Sequence, residues 1–171
     1  DFDVSHLSPT IDVLVCLNKE TYEKHKIRLT PKSLVIFDED EFEIKENCKK
    51  IIIPFKKILT DLKGQPVMKN TIALGASIGI LGGDIDELIK MISEQFAKKG
   101  EAVINFNKQF VQAGYAEVKK SYSGLILNYL IKKSEGDKLV ITGNDAFSLG
   151  SVIADCRVYS AYPMTPSSTV L

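Results

Sequence analysis

Short apolar runs alternate with longer segments of helical periodicity along the first two thirds of the chain. Three runs of strand length are apolar at nearly every position, at residues 11–17, 33–37 and 51–54. Such runs are typical of strands that are covered on both faces, as in parallel sheets. We therefore predict an α/β fold in which a parallel-rich sheet is flanked by helices.

Several segments between and after these runs have the 3.6-residue period of helices that bury one face. Asn18, Asn70 and Asp84 stand where N-cap residues are expected. Short helices are predicted after Asn18 and at 55–62. Longer helices are predicted at 68–81, from Asp84 to the Lys-Lys-Gly at 98–100, and at 102–119.

Small residues mark the predicted helix 68–81, where Gly75 and Gly79 lie four residues apart with Ala76 beside them. The run superficially resembles a dinucleotide-binding fingerprint, but no strand leads directly into it. It also lacks the Gly-Lys-Ser/Thr that ends a P-loop. Small residues let a helix approach its neighbour closely, so close packing is the favoured interpretation and a face between subunits is the second.

The chain changes character at 121–137, where an apolar piece is followed by a polar, charged one. We interpret 121–137 as a linker between two domains. The first is predicted at 1–120. The second is predicted to begin at 138 and to be incomplete at 171.

A βαβ unit is predicted at the start of this second domain. Its strands are expected at 139–141 and 157–161, on either side of a helix that Asn144 caps. Leu149 is expected to face the sheet. Phe147 lies outside the apolar stripe of this helix to which Leu149 belongs, and it is a candidate contact for a partner.

Hydroxyl side chains crowd the loop that follows, at Thr165-Pro166-Ser167-Ser168. Thr165 suits the N-cap and Pro166 the first helical position, which would leave the amides of Ser167 and Ser168 unpaired. Helix N-termini of this kind attract carboxylates and phosphates, and ligands in α/β sheets sit beyond the carboxyl ends of strands. Two interpretations are open. Thr165, Ser167 and Ser168 contact an anion or cofactor, or the loop is a plain helix cap.

The charge composition bears on the class of function. Lys and Arg number 22, as do Asp and Glu, so the chain lacks the excess of basic side chains typical of nucleic-acid binding. The longest apolar run, at 71–81, is too short to span a bilayer. We expect neither nucleic acid nor a membrane among the partners.

Cysteine and acidic residues give little support for a metal site. Cys16, Cys48 and Cys156 are widely spaced and form no CxxC pair, a pattern that favours a reducing cytosol over zinc or iron–sulfur binding. The acidic run 38–41 lacks the spacing of a metal loop. We interpret it as a solvated edge and predict no metal site.

The closing motifs resemble the opening of the alpha chain of 2-oxoacid:ferredoxin oxidoreductases, a family of thiamine-diphosphate enzymes. The residues that carry the resemblance are 143–146, Leu149-Gly150, Tyr159 and 162–168. Residues 8–120 resemble the gamma domain of the same family, and some members fuse gamma and alpha in this order. The gamma resemblance is carried by 11–17, 34–38, 69–75, 106–107 and 113–115.

The resemblance implies oxidative decarboxylation of a 2-oxoacid to an acyl-CoA, with coenzyme A as co-substrate and ferredoxin as electron acceptor. Thiamine diphosphate and iron–sulfur clusters would be held by partner subunits. A thiamine-binding beta subunit would join this chain in a hetero-oligomer or a dimer of heterodimers. In the family, the threonine of this loop approaches cofactor and substrate. That makes Thr165 the candidate catalytic residue, with Ser167 and Ser168 as supporting cofactor contacts.

The resemblance also implies that parts of the site lie outside residues 1–171. These parts are the glycine-rich opening of the gamma domain, and the substrate-binding arginine and thiamine-contacting acid of the alpha chain. We therefore expect this polypeptide to be cytoplasmic, to carry no cofactor alone and to be inactive alone. Two other classes stay open, a non-catalytic subunit-interaction domain and a flavodoxin-like nucleotide-binding protein.

Overall fold

The computed structural model describes residues 8–130, 141–162, 164, 165, 167 and 170. Internal contacts divide the chain into two units, Asp1–Lys133 and Ser134–Leu171, which we call the first and the second unit. In the described residues, the first unit holds a sheet and five α-helices, and the second holds one α-helix.

A three-stranded parallel sheet forms the centre of the first unit. Its strands are β1 (Val13–Val15), β2 (Leu34–Phe37) and β3 (Lys49–Ile52), and they lie side by side in chain order. The central strand β2 is buried at all four positions. The predicted α/β fold with a parallel sheet covered on both faces is therefore confirmed.

The first unit contains five α-helices, and their positions follow the predicted periodicity. They are α1 (Lys19–His25), α2 (Phe55–Asp61), α3 (Lys69–Leu81), α4 (Ile85–Gln95) and α5 (Glu101–Ser121). Short 3-10 turns occupy Lys26–Arg28, Pro66–Met68, Ala97–Lys99 and Ser123–Leu125.

Two of the three predicted N-caps in this unit are confirmed. Asn18 Oδ1 accepts from the amide of Thr21 at 2.8 Å, and Asp84 Oδ1 accepts from the amide of Asp86 at 2.9 Å. The prediction for Asn70 is wrong. The preceding 3-10 turn runs directly into α3, so Asn70 lies inside the helix, and Met68 takes the cap position without a side-chain bond.

Alternate residues of β2 face two different apolar layers. Leu34 and Ile36 pack into the larger cluster together with α3 and α5, whereas Val35 and Phe37 face a smaller cluster around Tyr22. The larger cluster buries these residues: Leu34, Ile36, Ile51, Ile53, Phe55, Met68, Ile72, Ala73, Ala76, Ile80, Phe110 and Val118. This two-sided core explains why β2 is apolar at all four positions, whereas β3 begins with the exposed Lys49 and Lys50.

Helices α3 and α5 cross in direct backbone contact at two glycines. A Cβ on Gly75 would lie 2.0 Å from the carbonyl oxygen of Val111, and one on Gly114 would lie 2.0 Å from that of Ile72. Neither space admits even a methyl group. Close packing is thus the observed role of Gly75 in the run that superficially resembles a nucleotide-binding motif.

Tyr122 joins the end of α5 to the edge of the sheet. Its hydroxyl accepts from the amide of Ile52 at 2.9 Å and lies 3.3 Å from the carbonyl oxygen of the same residue. The phenol therefore takes the place that a neighbouring strand would have beside β3.

In the second unit the described residues form α6 (Gly143–Ile153), and the helix begins differently from the prediction. Thr142 is the N-cap and forms a reciprocal capping box with Asp145, so Asn144 lies within the first turn. Two hydrogen bonds from Thr142, donated by its hydroxyl and its amide, hold the pKa of Asp145 below its usual value.

The strand predicted at 157–161 is wrong, because these residues have no regular secondary structure. Among the described residues of this unit no strand lies beside them to complete a hydrogen-bonded ladder. Leu149, expected to face a sheet, is 49% exposed. The other predicted strand lies mostly outside the described residues, since 139 and 140 are not among them.

We expect Gly114→Ala to lower the free energy of unfolding of the first unit by about 3 kcal/mol or more. The added methyl group would collide with the backbone of α3, which cannot move as a flexible side chain can. Gly124→Ala is the matched control, because a Cβ there meets nothing within 4 Å. Urea denaturation of both variants checks this, and equal stability of the two would contradict it.

Candidate functional site

The hydroxyl-rich loop is the candidate site, and we define it by its described residues Tyr162, Met164, Thr165, Ser167 and Val170. Thr165 is exposed in a turn, and Met164 and Tyr162 are also exposed. The candidate catalytic hydroxyl is therefore accessible at the surface of this unit.

Ser167 forms hydrogen bonds to other residues of the loop. Its amide donates to the carbonyl oxygen of Met164 at 2.9 Å, so the prediction that this amide is unpaired is wrong. Its hydroxyl lies 2.8 Å from the carbonyl oxygen of Tyr162 and 2.6 Å from that of Met164. In a tight turn the nearest acceptors are the loop's own carbonyl oxygens. The amide and hydroxyl of Ser167 donate to them and are therefore not available to bind an anion.

The third predicted site residue, Ser168, lies outside the described residues. The cofactor-binding roles of Ser167 and Ser168 and the catalytic role of Thr165 stay predictions.

Two hydroxyls outside the loop reach its backbone, and sequence reasoning missed both as holding groups. Ser148 Oγ, on α6, donates to the carbonyl oxygen of Val170 at 2.6 Å. The Tyr159 hydroxyl donates to the carbonyl oxygen of Ser167 at 3.1 Å. No local pattern signals these contacts, because the partners are separated by 22 and 8 residues.

Charges contribute little to the loop. Among the described residues of the second unit, Arg157 is the one basic side chain, and it pairs with Asp155 at 2.5 Å on the surface. The described loop therefore offers a neutral hydroxyl for hydrogen bonding. It holds neither a general base nor a cation for a diphosphate.

The acidic run 38–41 differs from the solvated edge that we predicted. Asp38 is 2% exposed, and its carboxylate accepts from the amides of Asp40 and Lys56, each at 3.1 Å. Glu41 pairs with Lys69 at the start of α3. Asp38 thus fastens the end of β2 to the first turn of α2. Across the described residues, no three His, Cys, Asp or Glu side chains are grouped as metal ligands.

A cleft of about 520 Å³ lies between the start of α3 and the first half of α5. Its most buried polar residue, Asn107, donates from Nδ2 to the carbonyl oxygen of Val103 at 2.8 Å, and its Oδ1 is 3.5 Å from the Thr71 hydroxyl. These contacts occupy the amide of Asn107, so this cleft supplies no free buried polar group.

The Cys16 thiol, at the end of β1, is not poised for reaction. Burial, together with the neighbouring Cys48, raises the pKa of Cys16 to about 11. The thiolate, which is the reactive form, is therefore scarce at neutral pH. Cys16 is therefore a buried core residue and not a nucleophile.

None of the helices that the structure describes is both long and apolar enough to cross a membrane.

Comparisons with known proteins agree on one family. The family model described as pyruvate ferredoxin/flavodoxin oxidoreductase matches residues 3–117. The 2-oxoacid:ferredoxin oxidoreductase 2 subunit alpha of Aeropyrum pernix is 31% identical over 125 residues, which cover 68% of this chain and 19% of that protein. Indolepyruvate oxidoreductase subunit IorA of Archaeoglobus fulgidus is 40% identical over 45 residues, which cover 26% of this chain and 7% of that protein.

A solved structure extends this likeness along the chain. The 2-oxoglutarate:ferredoxin oxidoreductase from Magnetococcus marinus, with 2-oxoglutarate, coenzyme A and succinyl-CoA bound, matches with a TM-score of 0.79 and 28% identity. The match covers 94% of this chain and 29% of that one. This chain therefore spans less than a third of the length of these relatives.

We expect Asp38→Ala to destabilise the first unit by about 2 kcal/mol, because the amide of Lys56 loses its buried acceptor. Glu39→Ala, at an exposed neighbour, is the control and should change stability by less than about 0.5 kcal/mol. Thermal unfolding measures both. If Asp38→Ala were as mild as the control, the fastening role of Asp38 would be refuted.

Proposed function

Because the chain belongs to the pyruvate ferredoxin/flavodoxin oxidoreductase family, as its motifs predicted, we propose that it is part of a thiamine-diphosphate-dependent 2-oxoacid:ferredoxin oxidoreductase. The enzyme would convert a 2-oxoacid to carbon dioxide and an acyl-CoA and pass the electrons to ferredoxin. The observation that carries this proposal is the family match over 3–117. The identity to an alpha subunit named for the 2-oxoacid:ferredoxin reaction supports it.

Residues 1–120 would serve as the gamma-type domain and 138–171 as the start of the alpha-type domain. The solved neighbour that carries coenzyme A supports coenzyme A as co-substrate. The packed α3–α5 pair and the sheet suit the first unit to a rigid scaffold for assembly, and closure over coenzyme A is a further role that we infer for it.

Thiamine diphosphate fits a partner subunit better than the second unit of this chain. A diphosphate needs cations or a metal ion, and the described part of the second unit offers one arginine, which is already paired. When bound, thiamine diphosphate supplies the carbanion chemistry that allows a 2-oxoacid to lose carbon dioxide. A beta subunit would hold it, and iron–sulfur clusters in partner subunits would carry the electrons to ferredoxin.

Thr165 is the residue of this chain that we assign to the reaction. Its exposed hydroxyl is suited to hydrogen-bond the substrate carboxylate or the cofactor of an adjoining subunit. Ser167 and Ser168 would support it from the same loop. A hydrogen bond to a charged group contributes about 1.5–3 kcal/mol, which is on the order of 10- to 100-fold in rate if it acts in the transition state.

The proposed assembly is a hetero-oligomer, or a dimer of heterodimers, in the cytoplasm. Relatives that are themselves named as subunits support an assembly of several chains.

A non-catalytic subunit-interaction domain is the second candidate. It is favoured by the exposed apolar side chains of α6, since Phe147 is 60% exposed and Val152 is 73% exposed. In that case the chain would join the complex without contributing a group to the reaction.

Purification of the native complex through a tag on this chain separates these candidates. We expect thiamine diphosphate, detected by its fluorescent oxidation product, and reduction of ferredoxin that depends on both a 2-oxoacid and coenzyme A. A stable complex that contains neither thiamine nor this activity would leave the interaction domain as the function.

In the assembled enzyme, Thr165→Ala should lower kcat/KM for the 2-oxoacid by about 10- to 100-fold, because the hydroxyl is lost. Thr165→Ser restores the hydroxyl and should retain most of the activity. Ser160→Ala, which removes another exposed hydroxyl nearby, is the control and should match the parent enzyme. Steady-state kinetics at equal thiamine content decide the matter, and parental kcat/KM in Thr165→Ala would remove Thr165 from the mechanism.

A further inference from the structure

Two carbonyl groups that follow Thr165 in the loop, those of Ser167 and Val170, are held from outside the loop. Ser148 Oγ lies 2.6 Å from the carbonyl oxygen of Val170, and the Tyr159 hydroxyl lies 3.1 Å from that of Ser167. On the side before Thr165, the Ser167 hydroxyl contacts the carbonyl oxygen of Met164 at 2.6 Å. Thr165 therefore stands between backbone groups that are fixed on both sides, while its own side chain is exposed.

A comparison of two serines on α6 shows that the Ser148 contact is specific. The Oγ atoms of Ser148 and Ser151 each lie 2.9 Å from the helix carbonyl oxygen four residues earlier, and each hydroxyl has a single proton to donate. Ser148 alone of the two also reaches Val170. The back-bond belongs to the helix and is common for serine, so the contact with Val170 is the one that concerns the loop.

We propose that Ser148 and Tyr159 are positioning residues, which hold the loop so that the Thr165 hydroxyl is presented in one place. The part of this inference that concerns catalysis rests on the proposed function, whereas the holding of the loop does not. Neither residue touches substrate or cofactor in this assignment, and each acts through the backbone that carries Thr165.

The expected size of the effect on the loop and on kcat/KM follows from the loss of one hydrogen bond. One neutral hydrogen bond changes an equilibrium on the order of fivefold to tenfold, so its loss raises the population of displaced loop by about that factor. A misplacement of about 1 Å at a reacting group is enough to reduce the rate strongly. The effect on kcat/KM should therefore be several-fold, smaller than that of removing the Thr165 hydroxyl itself.

The test uses the assembled enzyme with Tyr159→Phe and Ser148→Ala, and with Ser151→Ala as the matched control. Hydrogen exchange by mass spectrometry follows the amides of Ser167 and Val170, which donate to Met164 and Ser167 within the loop. We expect about fivefold faster exchange in the two test variants and parental exchange in the control. Because Tyr159→Phe removes a single oxygen atom, it remains informative if Ser148→Ala impairs folding.

Kinetics complete the test through a double-mutant cycle with Thr165→Ala. Tyr159→Phe should lower kcat/KM several-fold in the parent and leave it unchanged in the Thr165→Ala background, because a positioning residue has nothing left to position. Parental exchange in both test variants overturns the proposal. Equal losses of kcat/KM in both backgrounds also overturn it.

The two proposals fail in different ways. If Thr165→Ala keeps parental kcat/KM, the catalytic assignment of Thr165 fails, and faster exchange in Tyr159→Phe still supports the holding of the loop. If Thr165→Ala loses activity and exchange is unchanged in both test variants, the catalytic assignment stands and the positioning proposal is wrong.

Discussion

The backbone contact between α3 and α5 is the constraint on which the first unit depends. Gly75 and Gly114 each face a carbonyl oxygen of the other helix at a distance that leaves no space for a Cβ. The two helices therefore pack as one rigid layer. Ile72, Phe110 and their neighbours fill the space between this layer and the sheet. Because α5 is fixed in this way, its last turn delivers Tyr122 to the edge of β3. Packing at two small residues thus sets the position of a contact many residues away.

The regular elements of the first unit were predictable because they depend on local properties. Apolar runs locate the strands, and Asn18 and Asp84 mark helix starts through bonds that span two or three residues. The partner of Gly75 was not predictable, because which helix lies across a glycine is decided by tertiary packing. The prediction for Asp38 was wrong for a similar reason. An acidic run is typical of solvent-exposed chain, and no local pattern shows that the Asp38 carboxylate accepts hydrogen bonds that link the end of β2 to α2.

For the candidate site, sequence patterns located the loop but not its internal bonding. The motif identifies Thr165, which is exposed as a contact residue should be. The same motif suggested free amides, yet Ser167 bonds within the loop because neighbouring carbonyl groups are the nearest acceptors. Tyr159 belongs to the motif, but its contact with the loop and that of Ser148 were not predictable, because both bind backbone atoms, which a residue pattern does not show. In the second unit, residues 157–161 form no strand, and among its described residues no strand lies beside them.

The phenol of Tyr122 has a consequence for how copies of this protein meet. An open edge of a sheet offers unpaired amide and carbonyl groups, and these are the template on which chains join into larger aggregates. At Ile52 both groups are already occupied by one aromatic hydroxyl. A strand from another molecule that approached this edge would find the hydrogen-bonding groups of the last residue of β3 already occupied. A single side chain at a helix terminus therefore blocks part of this edge against the addition of a further strand.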